Sequence, residues 1–150
     1  MKGIPIARVR NFALFGHTGS GKTTLLDALL YRCGVSDRRG SPENGTSAAD
    51  WTDEERERKI TIWAKPFDLP VKSANGTAYR LVVIDTPGYA DFIGQPIAAA
   101  AVTDAGLLVV DAVAGLQVGA LRGWGLCEKH QLPRAIVVSG LDRENANFNA

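Results

Sequence analysis

Apolar positions along this chain fall into short unbroken runs separated by stretches of helical spacing. Phe12-Ala-Leu-Phe15, entered from Val9 and closed by Gly16, is apolar on both faces and predicts a buried strand. From Lys22 the pattern changes to Leu25, Leu26, Leu29 and Leu30, which is helical, and Gly34 offers a C-terminal stop. Residues 34–59 carry Arg38-Arg39-Gly40-Ser41-Pro42, Asn44-Gly45 and a charged run from Asp53 to Lys59, with no sustained apolar period. They predict a long mobile loop with room for a helical turn, and the charged run reads as a solvated stretch. Two extended segments follow, Ile60 to Leu69 and Tyr79 to Asp85, and Asn75-Gly76 between them signals an antiparallel hairpin. After Asp85-Thr-Pro-Gly88 an alanine-rich helix is expected from near Pro96, since proline suits a first helical turn. Leu107 to Val110 predicts another buried strand, Gln117 to His130 a helix with Leu121 and Trp124 inward, and Ala135 to Val138 a fifth strand. Strands alternating with helices predict a layered α/β domain with right-handed crossovers.

Composition narrows the class without changing that picture. With 45% hydrophobic and 22% charged residues in a chain of 150, one ordinary domain is expected. A net charge of +1 provides no global field toward nucleic acid or membrane, so direct DNA binding is not expected. Cys33 and Cys127 stand far apart in sequence and read as reduced thiols of a cytoplasmic protein. The apolar run from Ile97 to Val102 ends at Thr103-Asp104, well short of the ~20 residues of a membrane span. The N-terminus has no apolar signal core. His17 and His130 lack metal-ligand partners at useful spacing. Trp51 and Trp63 suit a core cover as well as a contact surface.

Candidate chemistry concentrates after the first and third strands. Gly16-His17-Thr18-Gly19-Ser20-Gly21-Lys22-Thr23 fits G-x-x-x-x-G-K-[ST] between a buried strand and a helix start. Glycines let successive N–H groups curl around a phosphate, the helix dipole favours the anion, and Lys22 adds a full positive charge. The Thr23 hydroxyl is the expected ligand to Mg²⁺. Asp85 ends a buried strand before Thr-Pro-Gly88, so its carboxylate is expected at the same sheet edge, where it can hold Mg²⁺ through water. Gly88 can bring its N–H to a γ-phosphate.

The motifs Gly16 to Thr24 (GHTGSGKTT), Asp50-Trp-Thr with Glu55 to Ile62, Asp85 to Phe92 (DTPGYADF), Gly115-Leu-Gln-Val and Asp142-Arg with Ala146-Asn-Phe148 run in this order over nearly the whole chain. In that order and spacing the chain resembles the guanine-nucleotide domain of bacterial translation elongation factor G. The resemblance implies a P-loop NTPase of Ras-like fold, with a mostly parallel, doubly wound sheet and one antiparallel strand. It implies GTP and GDP as ligands with Mg²⁺, hydrolysis to GDP and phosphate, the ribosome as partner, and a cytoplasmic monomer. By position, Thr61 becomes the switch threonine that closes on Mg²⁺ and the γ-phosphate, Arg38 to Lys59 the first switch, and Asp85 to Phe92 the start of the second.

Three departures cluster around the expected attacking water. Tyr89 stands where the family has histidine, Thr18 where it usually has an apolar residue, and Gly19 where it usually has aspartate. A tyrosine hydroxyl with a pKa near ~10 cannot become a cation near neutral pH. These changes resemble divergent elongation factor G-like paralogues, and slow or differently triggered hydrolysis is expected. The base-reading motif is also altered: Ser139-Gly-Leu-Asp142 occupies the place of N-K-x-D. Asp142 can accept two hydrogen bonds from guanine where adenine presents an acceptor, so guanine preference with reduced affinity is expected. A nucleotide-gated binding module with little turnover is the alternative, and a P-loop ATPase or kinase a further one that Asp142 argues against. Five strands and a chain that stops soon after Asp142 leave a Ras-like sheet without its last strand and helix. Residues 1–150 are therefore expected to form an incomplete G domain, with further domains elsewhere in the parent protein and an unpaired edge at the fifth strand.

Overall fold

The computed structural model describes residues 3–148. Its sheet consists of β1 (Val9–Phe15), β2 (Lys65–Lys72), β3 (Ala78–Asp85), β4 (Ala105–Asp111) and β5 (Arg134–Ser139), in the order β2-β3-β1-β4-β5. β2 is antiparallel to β3, and every other pairing is parallel. The β2–β3 turn closes as expected at Asn75-Gly76, with the Gly76 amide donating to the Ser73 carbonyl at 2.8 Å. Gly76 has φ +80°, a conformation glycine adopts without a Cβ penalty.

Helices cover both faces: α1 (Lys22–Arg32), α3 (Gly94–Ala100) and α4 (Val118–Lys129), while α2 (Asp53–Arg58) belongs to the long loop after α1. The period-two alternation of β1 divides the core between them. Leu14 packs with Leu26 and Leu30 of α1 and with Leu69 and Val83. Ala13 and Phe15 pack the other way, with Ala99 and Ala100 of α3 and Cys127 of α4. Register then gathers the chemistry at one edge. Leu14 pairs with Asp85, Phe15 with Leu108, and Asp111 with Ser139, so the carboxyl ends of the parallel strands surround the glycine loop.

Several sequence expectations need correction. The strand expected from Ile60 begins only at Lys65, because the Ile62 and Trp63 amides donate to the Glu55 carboxylate instead of to a ladder. Glu55 itself, read as part of a solvated charged run, is fully buried and closes a capping box with Thr52 at the start of α2. The loop read as mobile is pinned along its course. The Ala48 amide donates to Asp27 Oδ1 at 3.0 Å, and Ala49 is buried against the α1 face.

The inward face of α4 is also different. Leu121 and Trp124 are 54% and 39% exposed, and Ala120, Gly123 and Cys127 point inward. A Cβ on Gly123 would lie 2.5 Å from the Phe15 Cβ, and one on Gly119 would collide with the backbone of His17. Gly119 and Gly123, poor helix formers, are what let the helix backbone approach the glycine loop and β1. Trp124 lies instead under the Arg134 guanidinium, 3.7 Å from the ring centroid. Trp51 and Trp63 are both exposed, so neither covers the core. Both cysteines are free. Among the described residues no helix is long and apolar enough to cross a membrane.

Candidate nucleotide and metal site

β1 delivers the chain to Gly16, whose backbone lies so close to the Val109 carbonyl that a Cβ would collide. Gly19 and Gly21 take φ +75° and +85°, left-handed conformations that a side chain would penalise, and Gly21 caps α1. Lys22 opens the helix and turns back under the loop. Its buried ammonium donates to the carbonyls of Gly16 at 3.1 Å and His17 at 2.7 Å. Burial pushes its pKa down to about 8, with the Asp85 carboxylate opposing the shift. The loop therefore holds a cation in place by its own carbonyls.

Thr23 lies on the next helical position and joins three elements. Its hydroxyl donates to Asp85 Oδ2 at 2.9 Å and stands 3.0 Å from the Thr61 hydroxyl, which donates to Asp50 Oδ1 at 3.2 Å. Both threonine protons thus have a carboxylate acceptor, leaving hydroxyl lone pairs for a hard cation. Asp85 is fully buried, and burial pushes its carboxyl up to about 6 against the opposing effects of Lys22 and Thr23. Its Oδ1 has no hydrogen-bond partner among the described residues. A buried orphan carboxylate oxygen beside two hydroxyls fits Mg²⁺ or a water bound to it. Among the described residues no group of three or more His, Cys, Asp or Glu side chains could hold a metal unaided. A cation here would complete its shell with phosphate and water oxygens, as Mg²⁺ does when it keeps several waters.

Sequence reading missed the support beneath Thr61. Lys65, buried on β2, donates to Glu55 Oε2 at 2.7 Å and to the Ala49 carbonyl, and stands 3.9 Å from Asp50 Oδ1. Burial raises the Glu55 carboxyl, but Lys65 and the amides of Ile62 and Trp63 outweigh it and hold the group below its ordinary value. Asp50 moves the other way, raised by burial with Lys65 opposing. One buried lysine thereby ties Ala49, Asp50 and Glu55 together beside Thr61. Its partner lies ten residues away across a loop, so no local periodicity announces it.

The remaining expected residues divide. Gly88 lies against the glycine loop, where a Cβ would collide with the Thr18 amide nitrogen and sit 2.7 Å from Lys22 Nζ. Tyr89, 41% exposed, lines a cavity of about 190 Å³ with Thr18, Thr24, Lys59 and Ile60. Ser139 reaches across from β5 and donates to the Ser20 carbonyl at 2.7 Å, tying the end of β5 to the glycine loop. The Ser20 hydroxyl is buried with no partner among the described residues. His17 contributes its carbonyl to Lys22. Asp142 is exposed in the turn after β5 and is not drawn into the cavity beside the glycine loop.

Strand, glycine loop, buried lysine and converging threonine and aspartate oxygens define a P-loop domain of the G-domain type. Residues 7–150 match the family described as the elongation factor Tu GTP binding domain, and the chain belongs to that family. Among curated proteins it is 34% identical over 143 residues to the mitochondrial ribosome-releasing factor 2 of Anopheles gambiae, covering 95% of this chain and 19% of that protein. It is 34% identical over 150 residues to elongation factor G 2 of Streptomyces coelicolor, covering 100% of this chain and 21% of that protein. A crystal structure of a protein from Thermus thermophilus superposes with a TM-score of 0.85 at 42% identity, covering 95% of this chain and 21% of that one. The chain spans about a fifth of the length of the curated relatives it matches. The elongation factor G-like resemblance and the α/β G-domain fold expected from the motifs both stand.

Proposed function

We propose that this chain is the GTP-binding domain of an elongation factor G-like GTPase that binds GTP with Mg²⁺, hydrolyses it slowly and works in the cytoplasm on the ribosome. The observation that carries this reading is the convergence of Thr23, Asp85 and Thr61 within hydrogen-bond distance beside the buried Lys22. Mg²⁺, when bound, neutralises phosphate charge. The glycine-loop residues Gly16 to Thr24 cradle the phosphates, and the Lys22 ammonium exchanges its carbonyl partners for phosphate oxygens. Thr23, Thr61 and Asp85 offer oxygen ligands on the metal side, and the Gly88 amide approaches the γ-phosphate. Tyr89 offers one neutral hydroxyl for placing the attacking water, which supplies orientation without a positive charge for the transition state. Ser139 steadies the loop, and Asp142 reads the guanine edge. Relatives named as an elongation factor and as ribosome-releasing factors support the ribosome as partner.

Tyr89 also supports a second reading, a GTP-occupied switch with almost no turnover. Phosphate release from GTP by the intact protein, with and without ribosomes, separates the two. Ribosome-stimulated multiple turnover, reduced in Tyr89→Phe, supports the slow GTPase. GTP binding with no phosphate release under either condition supports the switch. Displacement of a fluorescent GTP analogue by GDP and not by ATP is expected from both, and equal displacement by ATP would sink both.

A further inference from the structure

Taking nucleotide binding at this site as given, we propose that Arg143 serves as the cationic wall of the base pocket, filling the place a side chain at position 140 would otherwise occupy. The turn after β5 places Gly140 at φ +67°, with no side chain of its own to offer a purine. A Cβ built there would stand 3.4 Å from both Cδ and Nε of Arg143 and 3.3 Å from Asp111 Oδ2. The arginine stem therefore lies over the site from which residue 140 would project. Asp111 holds the guanidinium, with Nη1 donating to Oδ2 at 2.7 Å.

The aspartate is itself fixed. It ends β4, is buried, and its other oxygen accepts from the Val113 and Ala114 amides at 2.9 and 3.0 Å. Those amides, together with Arg143, hold its carboxyl below the ordinary value, so it remains an anion able to anchor a cation. Arg143 also lines the cavity of the glycine loop and a second one beside it, sharing Thr18 and Gly19 with both. Asp142, its sequence neighbour, lines neither cavity. A planar guanidinium clamped on one edge keeps a face free, and that face suits stacking on the flat ring of a purine. A lysine in its place would offer a point charge and no such plane.

Binding of GDP, GTP and ADP to the intact protein by isothermal titration calorimetry tests this, with thermal melting to confirm that each variant is folded. Arg143→Ala is expected to weaken GDP and GTP by the same factor, about tenfold, because stacking involves the base and not the γ-phosphate. Gly140→Lys is expected to restore affinity in the Arg143→Ala background and to lower it in the native background, where two side chains compete for one space. That opposite sign cannot arise from a residue that only stiffens the turn. Unchanged GDP affinity in Arg143→Ala overturns the proposal, and so does an effect of Gly140→Lys with the same sign in both backgrounds. If the unaltered protein binds GDP no better than Lys22→Ala, the nucleotide site itself fails, and this proposal with it.

Discussion

The two ends of the nucleotide cleft are built on different principles. At the phosphate end Lys22, Thr23, Asp85, Asp50, Glu55 and Lys65 form one partly to fully buried chain of charges and hydroxyls. At the base end Asp142 is exposed, and the neighbouring contacts are the single Ser139 tie and an ion pair whose arginine is about half exposed. Asp85 Oδ1 excepted, no buried side-chain oxygen or nitrogen of that chain lacks a partner among the described residues, and because unpaired burial is costly the network holds one geometry. The exposed turn is held by fewer contacts, chiefly the Asp111 anchor of Arg143 and the Ser139 hydroxyl. The phosphate end is therefore the more buried and more densely bonded half of the cleft, and the base end the more exposed.

The strongest way to break that contrast is to remove the clamp under the phosphate end. Lys65→Ala leaves the Glu55 carboxylate buried without its partner, and a loss of about 3 kcal/mol of unfolding free energy is expected in urea melts. Lys65→Arg should recover much of it. A change near zero would mean that the loop carrying Asp50, Glu55 and Thr61 is held by packing alone. Next in size, Lys22→Ala should weaken GDP binding about 100-fold by calorimetry, since a desolvated cation facing phosphates is lost. At the base end, Asp142→Asn should weaken GTP about tenfold and bring xanthosine triphosphate above GTP, measured by displacement of a fluorescent analogue. If that substitution were as damaging as Lys22→Ala, the base end would not be the weaker half.

The smallest effect is a pH dependence. Burial raises the Glu55 carboxyl, but Lys65 and the Ile62 and Trp63 amides outweigh it and hold the group below its ordinary value. A depressed carboxyl contributes stability that is fully present above its unfolded pKa and is lost as pH falls through the folded value. The stability that Glu55 adds over Glu55→Gln, read as the gap between their urea midpoints, should therefore hold steady from neutral pH down to about pH 5 and shrink below it, whatever the raised Asp85 and Asp50 carboxyls do to both proteins alike. Equal slopes in the two proteins would assign any decline to other carboxyls.

The glycine loop was legible in the sequence because its requirements are local: glycines at turning points, a lysine and threonine at a helix start, a buried strand before them. The doubly wound order was legible for the same reason, as periodicity records burial. The start of β2 at Lys65, the inward face of α4 and the buried state of Glu55 were not legible. The first depends on a carboxylate seven and eight residues back taking the Ile62 and Trp63 amides. The second depends on how closely a glycine-bearing helix can approach β1, which hydrophobic spacing does not encode.

The sequence alone thus determined the phosphate loop, the order of strands and helices, and the departures at Tyr89 and Gly140, since these are properties of residue type and short spacing. Only the tertiary structure decided which charges are buried together, that Ser139 bridges to the glycine loop, and that Arg143 lies over Gly140 against Asp111. Those contacts join residues from separate strands, and their energies depend on burial and distance, which exist only once the sheet has brought the strand ends to one edge.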